Sequence, residues 1–443
     1  MSSNPIVRFI LDGNQIIFDG ADILECSISM KSDPIGATLP VSTASVSIFT
    51  TDPKFSIYSD GTYFQALAKF LPIDIEVGTD EIKSGRRRFY LDKWRMESEN
   101  ILVFELVDAL GVCVAISYPG SLWEEETPVR TVLDDIAKYT PFNIHLDVQV
   151  VSRTVRGWIP PSTVRDALQQ VCFAARATAK PSELGTITIF NAELPAQLPP
   201  ETPYPTITNS EKSINQKVTL LPKITDIELV SHDYYKLAES EQAIEEVYSA
   251  WLEPGNYVIA FQKPYWKVWG EGAGSYPIYT ATEDGRVITT EDSVGVWGDA
   301  TVRIAAESET YVYGSNHISV RVDVAGQITL WGYPLFSADR SHKYHEAADA
   351  VNEILIENAM LVTPTNASAV LEKVIEYCTL RYQKKITLFP KVIEVGSIWS
   401  IDTFRDKKIS GIAEQLEIDL AGGWLTDATF RGLESLEVSG GIE

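Results

Sequence analysis

Histidine and cysteine are scarce in this 443-residue chain, which carries five of the first and four of the second. The cysteines, Cys26, Cys113, Cys172 and Cys378, are far apart in the sequence. They form no CxxC pair and have no histidine at zinc-ligand spacing, so they read as buried free thiols. No apolar run approaches the roughly 18 residues that cross a bilayer. Residues 1–11 have neither a basic leader nor a long apolar core. These absences place the chain in a cytoplasm, or released from one by lysis. Positive charge is also in short supply: 37 Lys and Arg stand against 61 Asp and Glu, a formal charge of -24. Sequence-independent gripping of phosphates is disfavoured by that balance. Nucleic acid sliding past an acidic surface is compatible with it, because like charges leave nothing to adsorb to.

The signatures of catalysis are missing as well. His342 and His345 are three apart and Glu346 follows the second, whereas a zinc-binding helix spaces its histidines by four with a glutamate after the first. The pair reads as a solvated helix start, and His145, His232 and His317 add no site. The run from Gly270 to Gly274 contains three glycines but no phosphate-binding lysine, so it reads as a flexible loop. The adjacent acids Asp134 and Asp135, and Glu124 to Glu126, read as solvated faces near a helix start, and no GxSxG elbow is present. Arg86, Arg87 and Arg88 form the one basic cluster, expected as a surface patch or subunit contact. No catalytic, cofactor-binding or metal-binding residue is assigned, no cofactor is implied, and no enzyme activity is expected.

What is present is a globular composition, 45% hydrophobic and 22% charged, in a chain long enough for two to four domains. Alternating or β-branched runs at 6–11, 22–30, 44–49, 73–77, 88–94 and 101–106 predict strands, with a helical stripe of Phe64, Leu67 and Ala68 between them. A β/α mixture follows. Thr127 and Pro128 open one helix carrying Val129, Val132, Leu133 and Ile136. Ser162 or Thr163 opens a second, and residues 144–150 and 186–190 read as strands. Pro195, Pro199, Pro200, Pro203 and Pro205 then favour a stiff, extended connection. Strand-like runs return at 218–221, 224–230, 246–252, 257–260, 302–305, 309–312, 318–322 and 327–331. A long hairpin or loop excursion rich in Gly, Trp and Tyr at 264–298 interrupts them. Helices are expected at 347–361 and 367–382, and strands at 385–388, 398–401, 408–417 and 424–432.

The expected fold is mainly β with α/β inserts. Its parts are a β-barrel-like domain at 1–115, an α/β insert at 116–192, a proline-rich linker at 193–206, a second β-barrel-like domain at 207–343, and a helical segment with a β-unit at 344–443.

Four stretches, in order along the chain, resemble the tail-tip or baseplate hub proteins of phages, above all those of phages and phage-like particles of Gram-positive bacteria. The first runs from Asp52-Pro53-Lys54-Phe55 to Phe70-Leu71-Pro72-Ile73. The second is Phe89-Tyr90-Leu91-Asp92-Lys93-Trp94 with Asp108-Ala109-Leu110-Gly111. The third is Gly157-Trp158-Ile159-Pro160 leading into Val164-Arg165-Asp166-Ala167-Leu168. The fourth is Gly411-Ile412-Ala413-Glu414-Gln415-Leu416-Glu417-Ile418-Asp419-Leu420.

The resemblance implies two related β-barrel-like domains with inserts, and three subunits in a ring that adapts a sixfold tail tube to a threefold spike. It implies as partners further copies of the chain, a tail tube or distal tail protein, a spike or tip protein and a tape measure protein, with DNA only as passing cargo. The location implied is a virion tail or phage-like particle assembled in a bacterial cytoplasm. The chain ends at Glu443 with no peptidase or lysozyme-like segment appended, so wall-degrading activity is expected from a partner. Trp266, Trp269, Tyr276, Tyr279 and Trp297 of the excursion suit either interface anchors or loop packing. They also sustain the rival reading, a carbohydrate- or receptor-binding tail module. A glycoside hydrolase using two carboxylates is the enzyme rival.

Overall fold

The computed structural model describes residues 5–58, 61–78, 83–182, 185–195, 204–237, 243–270, 277–280, 293–297, 300–304, 316–346, 352–389, 391–403, 407–421 and 424–434. Its largest feature is a thirteen-stranded sheet built from both ends of the chain and from residues 206–220 in its middle. The N-terminal strands are β1 (Ile6–Leu11), β2 (Asn14–Phe18), β3 (Ile23–Lys31), β4 (Thr43–Phe49), β5 (Pro72–Gly78), β6 (Lys83–Ser98) and β7 (Ile101–Val107). The others are β8 (Thr206–Ile207), β9 (Lys212–Leu220), β10 (Tyr382–Leu388), β11 (Ile398–Asp402), β12 (Lys408–Asp419) and β13 (Leu425–Glu434). The order is β9-β10-β13-β12-β3-β4-β7-β6-β5-β1-β2, with β11 beside β12 and β8 beside β11.

Residues 1–115 and 344–443 were expected as separate parts, and the sheet joins them. Strand β12 is twelve residues long; its first half pairs with β11 and its second half with β3, so Ser27 lies opposite Asp419 and Lys31 opposite Gln415. Alternation predicts that each segment makes strands, but carries no information about which distant strand completes a ladder.

One side of this sheet is apolar. Phe9, Ile28, Val46, Ile73, Leu91, Phe104, Leu416 and Phe430 are all buried there, and the Phe104 ring meets Phe9 edge-on at 5.7 Å between centroids. A polar intrusion marks one end of this core. The Lys384 and Lys212 side chains are 1% and 3% exposed, and both ammonium groups donate to the carbonyl of Asp402, Lys384 at 2.9 Å. Burial, reinforced by the Lys212 ammonium, brings Lys384 down from 10.5 to about 7. A depressed lysine favours the fold fully only above its unfolded value, and that contribution is lost as pH falls from about 10.5 towards about 7. Lys384→Met is therefore expected to raise stability at pH 7 by about 1–3 kcal/mol. The rise in denaturation midpoint from pH 7 to pH 10 should be smaller in the variant, with the remainder carried by the depressed Lys212 and Lys373, and an unchanged slope would refute the assignment.

The α/β insert packs over the other side of β6. Thr163 caps the helix Val164–Ala174, its hydroxyl accepting the Asp166 N–H at 3.1 Å, and Val164, Leu168, Val171 and Cys172 line the buried face. The helix Val129–Ala137 begins one residue later than its sequence predicts, because Thr127 and Pro128 belong to the preceding strand Ser121–Pro128. Only Ile144–Leu146 of the 144–150 run is strand. Asp147 then accepts the Gln149 N–H at 3.0 Å and starts a short helix, Val148–Val151, as capping chemistry overrides the β-branched residues.

The second β region contains two four-stranded sheets over a core of Phe261, Val268, Ile318 and Leu330, and a three-stranded sheet centred on Asp226–Tyr235. One expectation fails here. Residues 353–356 form a strand, not a helix, because they pair in parallel with Asp226 to Leu229 and tertiary pairing overrides the amphipathic pattern. Within the 264–298 excursion, Tyr265–Gly270 and Pro277–Thr280 pair antiparallel, the hairpin alternative of the expectation, and Tyr265–Gly270 also pairs with Gly326–Pro334 of the same four-stranded sheet. Residues 347–351, the predicted strand at 309–312, and Pro199, Pro200 and Pro203 of the linker lie outside the described residues. Pro205 leads into β8, which pairs in parallel with β11.

Candidate functional site

The side of the large sheet opposite its core is set by alternation. On β3, Cys26, Ile28 and Met30 go inward, so Ser27 and Ser29 go out; on β4, Ala44 and Val46 go in, and Thr43 and Ser45 out. On β12, Leu416 and Ile418 are buried while Glu417 and Asp419 are exposed, and on β13 Asp427 points outward between buried Thr426 and Ala428. Register then aligns these residues across the strands. One row runs Thr387, Asp427, Glu417, Ser29, Thr43, and the next runs Asp419, Ser27, Ser45, Glu105. With neighbouring strands about 4.8 Å apart, the longer row spans roughly 19 Å.

The rows line a groove of ≈ 770 Å³, to which Asp92 also contributes a carboxylate. At one end cations partner the acids: Arg95 approaches Glu105 at 2.5 Å and Lys69 approaches Asp92 at 3.3 Å. Towards the middle the contacts are neutral. The Thr387 hydroxyl donates to Asp427 at 2.5 Å and the Gln415 amide to Glu417 at 2.7 Å. Beneath the groove, burial together with the Asp419 charge pushes the Cys26 thiol up to about 12. Short hydroxyl side chains interleaved with carboxylates make the groove polar and negative. The carboxylates of such a surface repel phosphates.

The residues singled out in the sequence are dispersed. His232 lies between the Asp339 carboxylate at 2.8 Å and the Glu357 carbonyl at 2.9 Å, and His317 contacts Tyr139 and the Gly120 carbonyl. His342 and His345 lie on the strand Phe336–His345, not at a helix start, where they meet Ser231 and Asp226. His145 is exposed on Ile144–Leu146. Among the described residues no group of three or more His, Cys, Asp or Glu could hold a metal ion.

Cys26, Cys113 and Cys172 are buried and Cys378 is half-buried, all four as free thiols. Asp134 and Asp135 lie within the helix Val129–Ala137, away from its start, and Asp135 is buried against the Tyr118 hydroxyl at 2.8 Å. Glu124 to Glu126 lie on a strand. Arg86 and Arg88 both grip Asp74 on β5. Burial alone would raise that carboxyl, but the two guanidiniums hold it below its usual range. Trp266 is half-buried and stacked on Tyr333 at 5.4 Å, with the Lys236 ammonium over its ring. Tyr276 and residues 271–274 of the glycine run lie outside the described residues, as do the side chains of Trp269, Tyr279 and Trp297. The acidic face itself was missed, although its signal is legible in Ser27-Ile28-Ser29-Met30 and Glu417-Ile418-Asp419-Leu420.

No protein-family model matches the chain, and no curated protein matches its sequence. Structure is more informative. The 43 kDa tail protein of prophage MuSo2 from Shewanella oneidensis superposes with a TM-score of 0.50 at 8% identity, over 97% of this chain and 98% of that one. A tail protein from Neisseria meningitidis MC58 superposes with a TM-score of 0.51 at 10% identity, over 97% of each chain. The fold is that of phage tail proteins. It is mostly β with a minor share of helix, and the likeness covers 97% of this chain in both comparisons.

Proposed function

We propose that this chain is a structural, non-enzymatic hub of a phage tail or phage-like injection particle, a ring subunit that joins the tail tube to the spike or tip. The observation that carries this reading is the acid and hydroxyl face, laid across the largest sheet of a fold shared with phage tail proteins. In a ring, that face lines the passage, and DNA moves past it without adsorbing. The partners that follow are further copies of this chain, three in the closed ring, with a tube or distal tail protein on one side and a spike or tip protein on the other. A tape measure protein ends at the ring, and DNA crosses it as cargo. The subunit is made in the host bacterial cytoplasm and becomes part of the virion.

Reversing charge on the face tests this. A chain carrying Glu417→Lys, Asp419→Lys and Asp427→Lys is expected to assemble into normal tails and to slow DNA ejection at least about tenfold, with raised salt restoring the rate as lysine–phosphate contacts are screened. Ejection at the wild-type rate would remove the conduit role. Locating the chain in the particle as a tube ring, sheath subunit or peripheral fibre would remove the hub role. Turnover of peptidoglycan by the purified chain would overturn the non-enzymatic reading.

A further inference from the structure

The main path of the large sheet ends in β2 at one end and β9 at the other, each paired with a single neighbour among the described residues; the two-residue β8, off that path, pairs only with β11. At β9 the apolar side of the sheet runs out of cover. Val218 and Leu220 lie opposite Lys384 and Tyr382 in register. They share the side on which Lys384 and Ile386 are each 1% exposed, yet are themselves 52% and 55% exposed. Ile214, on the same strand, is 83% exposed. At the far end, Ile16 and Phe18 lie opposite Phe9 and Val7 and carry the same apolar side out to β2. A strand edge with an uncovered aliphatic row templates pairing with another chain, and a protein that keeps one needs a partner for it.

Charge selects the partner. β9 presents exposed Lys217 beside exposed Lys385 of β10, whereas β2 is flanked by exposed Asp12 and Asp19. Two β9 edges together would oppose lysine to lysine, and two β2 edges aspartate to aspartate. Only the unlike edges attract, which makes the contact head-to-tail, the type that closes into rings.

We propose that β9 of one copy pairs with β2 of the next, so that the large sheet continues across each subunit boundary and the exposed Val218 and Leu220 lie against the half-buried Ile16 of the neighbour, at the rim of the core that encloses Phe18. This rests on the ring reading above and specifies its junction. The test measures assembly and strand protection separately. Mass and sedimentation of the full-length protein across a concentration series report assembly. Hydrogen exchange reports the amides of residues 14–18 and 216–220, compared with a Val218→Lys/Leu220→Lys variant whose circular dichroism verifies folding.

The expected result is a closed assembly in which both strands exchange at least about tenfold more slowly than in the variant. The variant should associate at least about a hundredfold more weakly, the loss of two large apolar contacts. Assembly with either strand unprotected overturns the edge pairing and leaves the ring reading standing. A wild-type protein that stays monomeric at every concentration, with both strands exchanging as in the variant, overturns both.

Discussion

Gly36→Val is expected to cost about 3–5 kcal/mol of stability and to loosen the α/β insert from the large sheet. Gly36 has φ +68°, and a Cβ placed on it would stand 2.1 Å from the carbonyl oxygen of Ala177 and 3.3 Å from the Cys172 Cβ. The obstructing atom is backbone, so no side chain can turn aside. This glycine lies on the connection between β3 and β4, which sends Ile35 and Leu39 into the core of the insert. Asp33 holds that connection by accepting the N–H groups of Ile35 at 3.1 Å and Thr38 at 2.7 Å. Valine must therefore either adopt a left-handed backbone beside a β-branched carbon or push the two units apart. Gly13→Ala separates these effects, since Gly13 has φ +76° and nothing within 4 Å of a new Cβ; its cost should be only about 1 kcal/mol. Denaturation midpoints give the two costs, and hydrogen exchange in the helix Val164–Ala174 shows where the damage lies. Equal costs at the two glycines would mean that the contact with Ala177 does not matter.

Phe104→Ala is expected to cost a similar amount, about 3–5 kcal/mol, from a different cause. The ring is 0% exposed at the centre of the large-sheet core, and its removal takes away the edge-on contact with Phe9 and leaves a cavity between strands that hydrogen bonds hold in place. Ser45→Ala, one residue away from Val46 on the opposite side of the sheet, should change stability by no more than about 0.5 kcal/mol. If Phe104→Ala unfolds at the wild-type denaturant concentration, the cluster around Phe9 is not the stabilising core.

Much of this architecture is legible in the sequence because alternation is local. Ser27-Ile28-Ser29-Met30 and Glu417-Ile418-Asp419-Leu420 each specify a strand with one apolar and one polar side, and Thr163 with Asp166 three residues on marks a helix start that the structure contains. The failures also have a local cause. The segment around Glu353 to Ile356 has an amphipathic pattern that fits a helix, and only the free edge of Asp226–Tyr235, more than a hundred residues earlier, makes it a strand. His342 and His345 follow the same pattern: they read as a helix start, and ladder pairing with Leu229 and Asp226 puts them on a strand instead. Asp135 looked like half of a solvated acidic pair until the Tyr118 hydroxyl enclosed it.

The sequence by itself determined that the chain is mainly β, that it holds an α/β insert, that its cysteines are too scattered for a CxxC metal motif, and that acid outweighs base. It also carried the hub-like stretches that the end-to-end structural likeness to phage tail proteins later matched at the level of the fold. Tertiary structure alone decided that the first and last segments share one sheet, because pairing of β3 with β12 joins residues nearly four hundred positions apart and no local pattern encodes a partner at that distance. The same pairing decided where the charge goes. Glu417, Asp419 and Asp427 from one end of the chain and Ser27, Ser29 and Ser45 from the other become one acidic face only when the ladder forms, since a strand chooses which side each residue takes and the sheet chooses its neighbours.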